Sequence, residues 1–290
     1  MHEKIAVVDV GSNSVRLMLL ADGKILYKRT AITRLGEGLS TSGRLQPSAI
    51  DRTIAQIAEF LWTARTDGAT KFFAYATAAV RGATNGNEFV ETVKKACDVC
   101  LEVLSGEEEA RIGLVGALGD EDGVLLDIGG GSTELIVRRG GKIVYSKSID
   151  VGVVRLKDLC GEDKQALARF CAERVKEYDF EKGLKDSHVY AVGGTATTLA
   201  AWTLRLERYD GEVVTGSRFT LGQIKTLIDE LFLLSTAEIA CNSCVGEKRA
   251  QVIKGGALWL GVVLDYIGAE AVIVSDNDNL DGYAKTRGLI

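Results

Sequence analysis

Two stretches of this chain share one rhythm of apolar and polar positions. From Ile5 an apolar run reads IAVVDV, breaks at Gly11 to Ser14, resumes as VRLMLL to Leu20, breaks again at Asp22-Gly23 and returns as KILY. From Gly123 the pattern recurs as GVLLDI, GGGSTE, LIV, Gly140-Gly141 and KIVY. An offset of 118 positions lays Asp9 on Asp127, Gly11 on Gly129, Ser14 on Ser132 and Leu17 on Leu135, and continues without a gap through Gly23, Lys24, Ile25 and Tyr27 onto Gly141, Lys142, Ile143 and Tyr145. Each copy predicts strand, Asp–x–Gly turn, strand, Gly turn, strand. Such a period is too long for a solenoid, whose units run about 20–50 residues. The expectation is two related α/β domains, 1–114 and 115–290, facing each other across a cleft to which each presents one glycine turn.

Elsewhere the period changes to that of a helix. Pro47 sits where a first helical turn tolerates it, and Ile50, Ile54, Ile57, Ala58 and Leu61 predict a helix to Thr66 that Asp67-Gly68 ends. A strand follows over 71–76, a turn over 77–81, a helix over 87–96 and a strand over 101–104. A helical region begins at 152, Gly161 interrupts it, and a further helix covers 166–178. A strand from His188 runs into Gly193-Gly194-Thr195 and a helix. Two more helices are expected, over 220–234 and 249–267, the second interrupted at Gly255-Gly256, before a last strand over 271–275.

The glycine turns carry the candidate chemistry. Gly129, Gly130 and Gly131 allow positive φ and close approach of a ligand, and exposed amides in such a turn suit an anion. Ser132 and Thr133 add hydroxyls, and Asp127 and Glu134 are hard oxygen ligands of the kind Mg²⁺ takes. A plain hairpin is the competing reading of one such turn; its recurrence favours ligand binding. Gly193, Gly194 and Thr195 open a helix, where free amides and dipole both attract an anion. In SGEEEAR, Ser105 and Glu108 have capping-box spacing, Glu107 reads as solvated, and Glu109 has no structural task.

Composition narrows the choices. The 290 residues are 46% hydrophobic and 26% charged with a net charge of −5, which argues against a broad nucleic-acid surface. No apolar run reaches the roughly 18–20 residues of a membrane span, and the N-terminus enters a strand at once without a signal peptide, so a cytoplasmic protein is expected. Only two His, His2 and His188, are present, too few for a His-rich metal cluster. Six Cys include two C-x-x-C pairs, at 97/100 and 241/244, too far apart for a zinc ribbon and read as reduced thiols.

Taken together, VVDVGSNSVRL, ATAAVRGATN, LEVLSGEEEAR, DIGGGSTEL, VGGTATTLA and the terminal VSD resemble the exopolyphosphatase/guanosine pentaphosphate phosphohydrolase (Ppx/GppA) family of the actin–Hsp70–sugar kinase (ASKHA, ribonuclease H-like) fold. The resemblance implies two actin-like domains flanking a cleft, Mg²⁺ (or Mn²⁺), polyphosphate or guanosine penta- or tetraphosphate as the molecule bound, and a homodimer, with no DNA or membrane partner. It implies that Glu109 activates water and that Asp127 and Glu134 serve the metal, joined by Asp9. Phosphate contacts fall on Asp9, Gly11, Ser12, Asn13 and Ser14; on Arg81; on Gly129, Gly130, Gly131, Ser132 and Thr133; and on Gly193, Gly194 and Thr195.

The chain departs from that pattern at Thr215-Gly216, at Gln251 after Arg249-Ala250, and at Asn279-Leu280-Asp281-Gly282, and no HD-type domain is expected. These departures bear on substrate choice rather than on the hydrolytic core. Two other readings stand beside hydrolysis: an ATP-dependent kinase on the same fold, against which the Arg81 and Glu109 segments speak, and a non-catalytic alarmone or polyphosphate sensor, against which the intact Glu109, Asp127 and Glu134 speak.

Overall fold

The computed structural model describes residues 3–180, 184 and 187–290; His2 lies outside them. In chain order the elements are β1 (Lys4–Val10), β2 (Ser14–Ala21), β3 (Lys24–Ile32), α1 (Leu39–Ser42), α2 (Pro47–Thr66), β4 (Ala69–Ala76), α3 (Ala78–Gly82), α4 (Gly86–Cys97), β5 (Leu101–Val103) and α5 (Gly106–Leu118). There follow β6 (Gly123–Ile128), β7 (Thr133–Arg139), β8 (Lys142–Ile149), α6 (Val153–Cys160), α7 (Lys164–Arg174), a 3₁₀ turn (Val175–Tyr178), β9 (Val189–Val192), α8 (Gly193–Thr203) and α9 (Gly211–Val214). The chain ends with β10 (Arg218–Thr220), α10 (Leu221–Leu233), α11 (Thr236–Ala240), α12 (Gly246–Ala250), α13 (Ile253–Ile267), β11 (Ala271–Val274) and α14 (Asn279–Thr286).

These elements form two units, Met1–Gly116 with Asn279–Ile290, and Ala117–Asp278. The division falls two residues beyond the one expected at 114, and it returns the last twelve residues to the first unit, whereas the sequence reading left them in the second. What draws α14 back is a contact no local pattern announces. A Cβ on Gly282 would lie 1.8 Å from the Ile112 carbonyl oxygen and 3.0 Å from the Gly116 nitrogen, so α14 lies backbone to backbone against α5. The buried Asp281 accepts from Lys28 Nζ at 2.5 Å, and Tyr283 stacks on Tyr75 at 4.5 Å between ring centroids.

The repeat seen in the sequence is a repeat of structure. The first sheet runs β3-β2-β1-β4-β5, and the second runs β10-β11-β9-β6-β7-β8, whose last five strands in reverse give the same order. In both, the first two hairpin pairings are antiparallel and the next pairing, β1 with β4 or β6 with β9, is parallel. Even the irregularity is copied: the register shifts between Leu19 and Leu20, and between Val137 and Arg138, one offset apart. Each shift leaves one residue on the edge strand unpaired, Leu26 or Val144, and both are exposed.

Burial follows the apolar pattern. Along β1, Ala6, Val8 and Val10 join a core closed by α2 and α4, while Val7 on the other face joins Met18, Leu20, Tyr75 and the buried Leu280 and Tyr283 of α14. A strand covered on both faces is apolar along its buried length, and in β1 the one buried exception is Asp9. In the second unit the core centres on α13, buried nearly all round. The helix is not interrupted at Gly255-Gly256. It begins after a break at Gln251-Val252, and the glycines are instead where neighbours approach: a Cβ on Gly256 would lie 2.6 Å from Thr195 Cγ2. Among the described residues no helix is long and apolar enough to cross a membrane.

Candidate active site

In the first unit, the turn between β1 and β2 is closed by the Gly11 N–H donating to the Ser14 carbonyl at 3.0 Å. Ser12 and Asn13 are exposed at its tip. Their carbonyls accept from the amides of Gly36, Thr33 and Arg34 at 2.8–3.0 Å, so the loop after β3 braces the turn from behind. Asp9, 1% exposed, lies opposite Arg16 in the β1–β2 register and accepts from Arg16 Nε at 2.8 Å. The carboxylate expected to bind metal is therefore already ion-paired to a guanidinium.

Arg81 and Glu109, 28 residues apart, are brought together. Arg81 leaves the short helix α3 at the end of β4; its Nη1 donates to the Leu104 carbonyl at 2.8 Å and to Glu109 Oε2 at 2.9 Å. The pair is part-exposed, so its worth to stability is at most about 1 kcal/mol, and it serves mainly to fix orientation. A guanidinium has five donors, which leaves Nε and Nη2 to meet a phosphate. The start of α5 is built as the spacing predicts: Ser105 Oγ accepts from the Glu108 amide at 3.2 Å, and Glu108 accepts from the Ser105 amide at 2.8 Å. That backbone hydrogen bond, with the Ser105 hydroxyl second, holds the Glu108 carboxyl below its ordinary range. Glu108 is thus the cap, Glu107 is exposed, and Glu109 is the one turned toward Arg81.

In the second unit the β6–β7 turn closes as the first does, with the Gly129 N–H donating to the Ser132 carbonyl at 3.0 Å. Positive φ is absent at Gly129, Gly130 and Gly131, contrary to expectation, and at Gly11 too; the left-handed residue of the site is Gly193, at φ +86°. A Cβ there would lie 2.9 Å from Asp127 Oδ1, so glycine is required both by conformation and by the carboxylate beside it. Glu134 lies opposite Asp127 in the β6–β7 register and accepts from Ser148 Oγ at 2.5 Å. Gly193, Gly194 and Thr195 form the first turn of α8, which has no side-chain cap. Thr133 differs from expectation: its side chain is buried, its hydroxyl donates to the Val151 carbonyl, and Trp259 Nε1 donates to it at 2.9 Å. Its hydroxyl is spent on the core. Gly130, Gly131 and Ser132 keep partial or full exposure.

Three participants were not legible beforehand. Gly152 packs directly on the turn, since a Cβ would fall 2.4 Å from the Gly130 carbonyl carbon and 2.5 Å from the Gly131 nitrogen. The amides of Val153 and Val154 at the start of α6 donate to the Gly129 and Gly130 carbonyls at 3.0 and 2.9 Å, which turns the amides of the loop outward. Arg249 lies over Gly194, whose Cβ would be 3.5 Å from Nη2, and donates to Thr198 Oγ1 at 2.7 Å, adding a cation at the start of α8. Asp276 is engaged by Tyr209 Oη at 2.6 Å; burial, then this hydrogen bond, raises the tyrosine pKa.

The donor set of Asp127 and Glu134 fits a hard cation. The two lie directly opposite each other in the β6–β7 register, so a divalent ion bound by both would offset the repulsion between their carboxylates. Among the described residues no group of three or more His, Cys, Asp or Glu is placed to hold a metal, so the remaining ligands would be water and phosphate, as Mg²⁺ prefers. All six cysteines are free; in each C-x-x-C pair one, Cys97 or Cys244, is buried and the other exposed.

The profile of one family matches residues 15–279, which covers the α3–α5 segment and the second turn together. The chain belongs to the Ppx/GppA phosphatase family. It is 29% identical over 311 aligned positions to the Exopolyphosphatase 2 of Mycobacterium tuberculosis, covering 97% of each chain. It is 29% identical to the bifunctional 3-dehydroquinate synthase/phosphatase of Fusobacterium nucleatum over 96% of this chain and 45% of that one. Among solved structures, the Aquifex aeolicus family member superposes with a TM-score of 0.82 at 30% identity, covering 100% of this chain and 98% of that one. The fold is thus the two-domain actin-like (ASKHA, ribonuclease H-like) α/β fold of this family.

Proposed function

We propose that this family member hydrolyses terminal phosphoanhydride bonds of inorganic polyphosphate, with guanosine pentaphosphate as the alternative substrate. The observation that carries the reading is the Arg81–Glu109 contact at 2.9 Å, a carboxylate held beside a guanidinium that retains free donors. The arrangement offers what the reaction demands: little covalent chemistry, an oriented water and neutralised phosphoryl oxygens. Glu109 takes the proton of the attacking water, a role generally worth about 10²–10⁴-fold. Arg81, the Gly130 and Gly131 amides of the second turn and those at the start of α8 bind phosphoryl oxygens, each such donor contributing up to about 10²–10³-fold where charge develops. Asp127 and Glu134 would hold Mg²⁺ (or Mn²⁺), whose chemistry is neutralisation of phosphoryl charge. The similarity to the Exopolyphosphatase 2 of Mycobacterium tuberculosis supports polyphosphate ahead of a nucleotide.

The test is orthophosphate release from long polyphosphate, short polyphosphate, guanosine pentaphosphate and ATP, each with Mg²⁺ and with excess chelator. Release from polyphosphate, lost on chelation, is expected. Phosphate transfer to an acceptor in place of release, or binding without release from any of the four, would refute the reading.

A further inference from the structure

The last helix grips the segment that carries Glu109 at several points along its length. β5, which leads into that segment, has three residues and closes one edge of the first sheet, so the sheet holds it from β4 alone. Its middle residue, Glu102, is tied to α14: Tyr283 Oη donates to Glu102 Oε2 at 3.0 Å, and Arg287 Nη2 donates to both carboxylate oxygens, at 2.5 and 2.6 Å. Tyr283 is itself fixed. It is 2% exposed, its ring stacks on Tyr75, the β4 residue opposite Glu102, and the Arg287 guanidinium lies 5.1 Å from its centroid. Farther along α5, Gly282 packs on the Ile112 carbonyl and Lys285 Nζ donates to the Gly116 carbonyl at 3.3 Å. Two residues after Glu102, the Leu104 carbonyl accepts from Arg81 Nη1 at 2.8 Å. The next residue, Ser105, caps α5, and its carbonyl accepts from the Glu109 amide at 3.0 Å.

We infer that Glu102 is a positioning residue for hydrolysis, through which α14 holds the Arg81–Glu109 pair in place. A part-exposed ion pair such as Glu102–Arg287 adds little stability, but together with the Tyr283 hydroxyl it fixes a direction. Glu102 cannot swing, so the Leu104 carbonyl and the start of α5 stay where Arg81 Nη1 meets Glu109 Oε2 at 2.9 Å. The Glu102 carboxylate is engaged by α14 and acts by holding, not by taking a proton. Once it is released, a three-residue strand and the first turn of α5 are free to shift, and a reacting group displaced by about 1 Å loses roughly 10²-fold in rate. The inference rests on the reading of Glu109 above, and it gives the C-terminal helix, far in sequence from every motif of the site, a part in the reaction.

The experiment is steady-state phosphate release from long polyphosphate by the full chain, with circular dichroism to confirm folding. Glu102→Ala should lose about 10–10²-fold in kcat with little change in KM. Both donors converge on Oε2, so Glu102→Gln, whose amide oxygen can stand there, should keep kcat near wild type. A loss in Glu102→Gln equal to that in Glu102→Ala would make the charge itself the reacting feature and overturn the proposal. Residues that act as a unit are not additive, so Glu102→Ala should lower kcat far less in a Glu109→Gln background than in wild type. A merely structural loss would be the same in both backgrounds, and that result overturns the proposal, as does an unchanged kcat in folded Glu102→Ala. If Glu102→Ala does not fold, the double variant Tyr283→Phe/Arg287→Met, which strips both donors and leaves the stacked ring, decides by the same comparison of backgrounds. Near-normal turnover in Glu109→Gln alone overturns the reading of Glu109 and this inference with it; failure at Glu102 leaves that reading standing.

Discussion

Replacing Gly152 by alanine adds one methyl group where the structure has none to spare. The new Cβ would lie 2.4 Å from the Gly130 carbonyl carbon and 2.5 Å from both the Gly130 oxygen and the Gly131 nitrogen. All three are backbone atoms, so no rotamer relieves the contact. Reaching ordinary van der Waals separation requires the start of α6 and the glycine turn to part by about 1 Å. That movement strains the Val153 and Val154 amide bonds to the Gly129 and Gly130 carbonyls, which stand at 3.0 and 2.9 Å. Overpacking with partial loss of two neutral hydrogen bonds gives an expected destabilisation of about 2–4 kcal/mol. A reacting group displaced by about 1 Å loses roughly 10²-fold in rate, so kcat/KM should fall on that scale. Urea unfolding and phosphate release measure the two effects. Gly131→Ala is the control for stability, because its Cβ would meet nothing within 4 Å. Wild-type stability and kcat/KM in Gly152→Ala, or a loss of stability no greater than that of Gly131→Ala, would refute the reasoning.

Gly282→Ala would place a Cβ 1.8 Å from the Ile112 carbonyl oxygen, one turn beyond Glu109, so it should lower kcat as well as stability by pushing α14 off α5; unchanged kcat in a folded variant would contradict this. Glu162 is held below its ordinary pKa of 4.5, first by the hydrogen bond from Lys254 and then by that from Thr236. A depressed carboxyl stabilises the fold above its unfolded pKa and ceases to do so as pH falls through the folded one. Stability should therefore drop as pH falls below about 4.5, and Glu162→Gln should flatten that acid limb in pH-dependent urea melts.

What could be read from the sequence was whatever the chain repeats or encodes locally. The 118-residue offset announced the same strand–turn–strand pattern in two related domains; the bulge at Leu19–Leu20 that recurs at Val137–Arg138 appears only in the structure. The capping box at Ser105 and Glu108 needs only three residues of spacing, and it is present. What could not be read were close approaches between distant backbones. Gly152 on Gly130 and Gly282 on Ile112 look like any other glycine until a Cβ is placed on them. Positive φ was expected in the Gly129–Gly131 run and occurs at Gly193, where a Cβ would also meet Asp127 Oδ1. Thr133 reads as a turn hydroxyl, yet the strand parity that faces Glu134 toward the turn's open side sends Thr133 into the core beneath Trp259. The offset also aligned Arg16 with Glu134, but only the strand register made that a difference between an ion pair and two facing carboxylates.

The account turns on Glu109, and the SGEEEAR segment supplies its own controls. Glu107 is exposed and Glu108 is committed to Ser105, while Glu109 faces Arg81. The decisive measurement is steady-state phosphate release from polyphosphate by Glu107→Gln, Glu108→Gln and Glu109→Gln. Glutamine keeps the capping hydrogen bond at 108, and at 107 it removes only a surface charge at a helix start, so both should retain near-normal turnover. At 109 glutamine preserves shape but cannot accept a proton, and kcat should fall by about 10²–10⁴-fold while substrate still binds. Near-normal turnover in Glu109→Gln, with the loss falling instead on Glu107→Gln or Glu108→Gln, would contradict it.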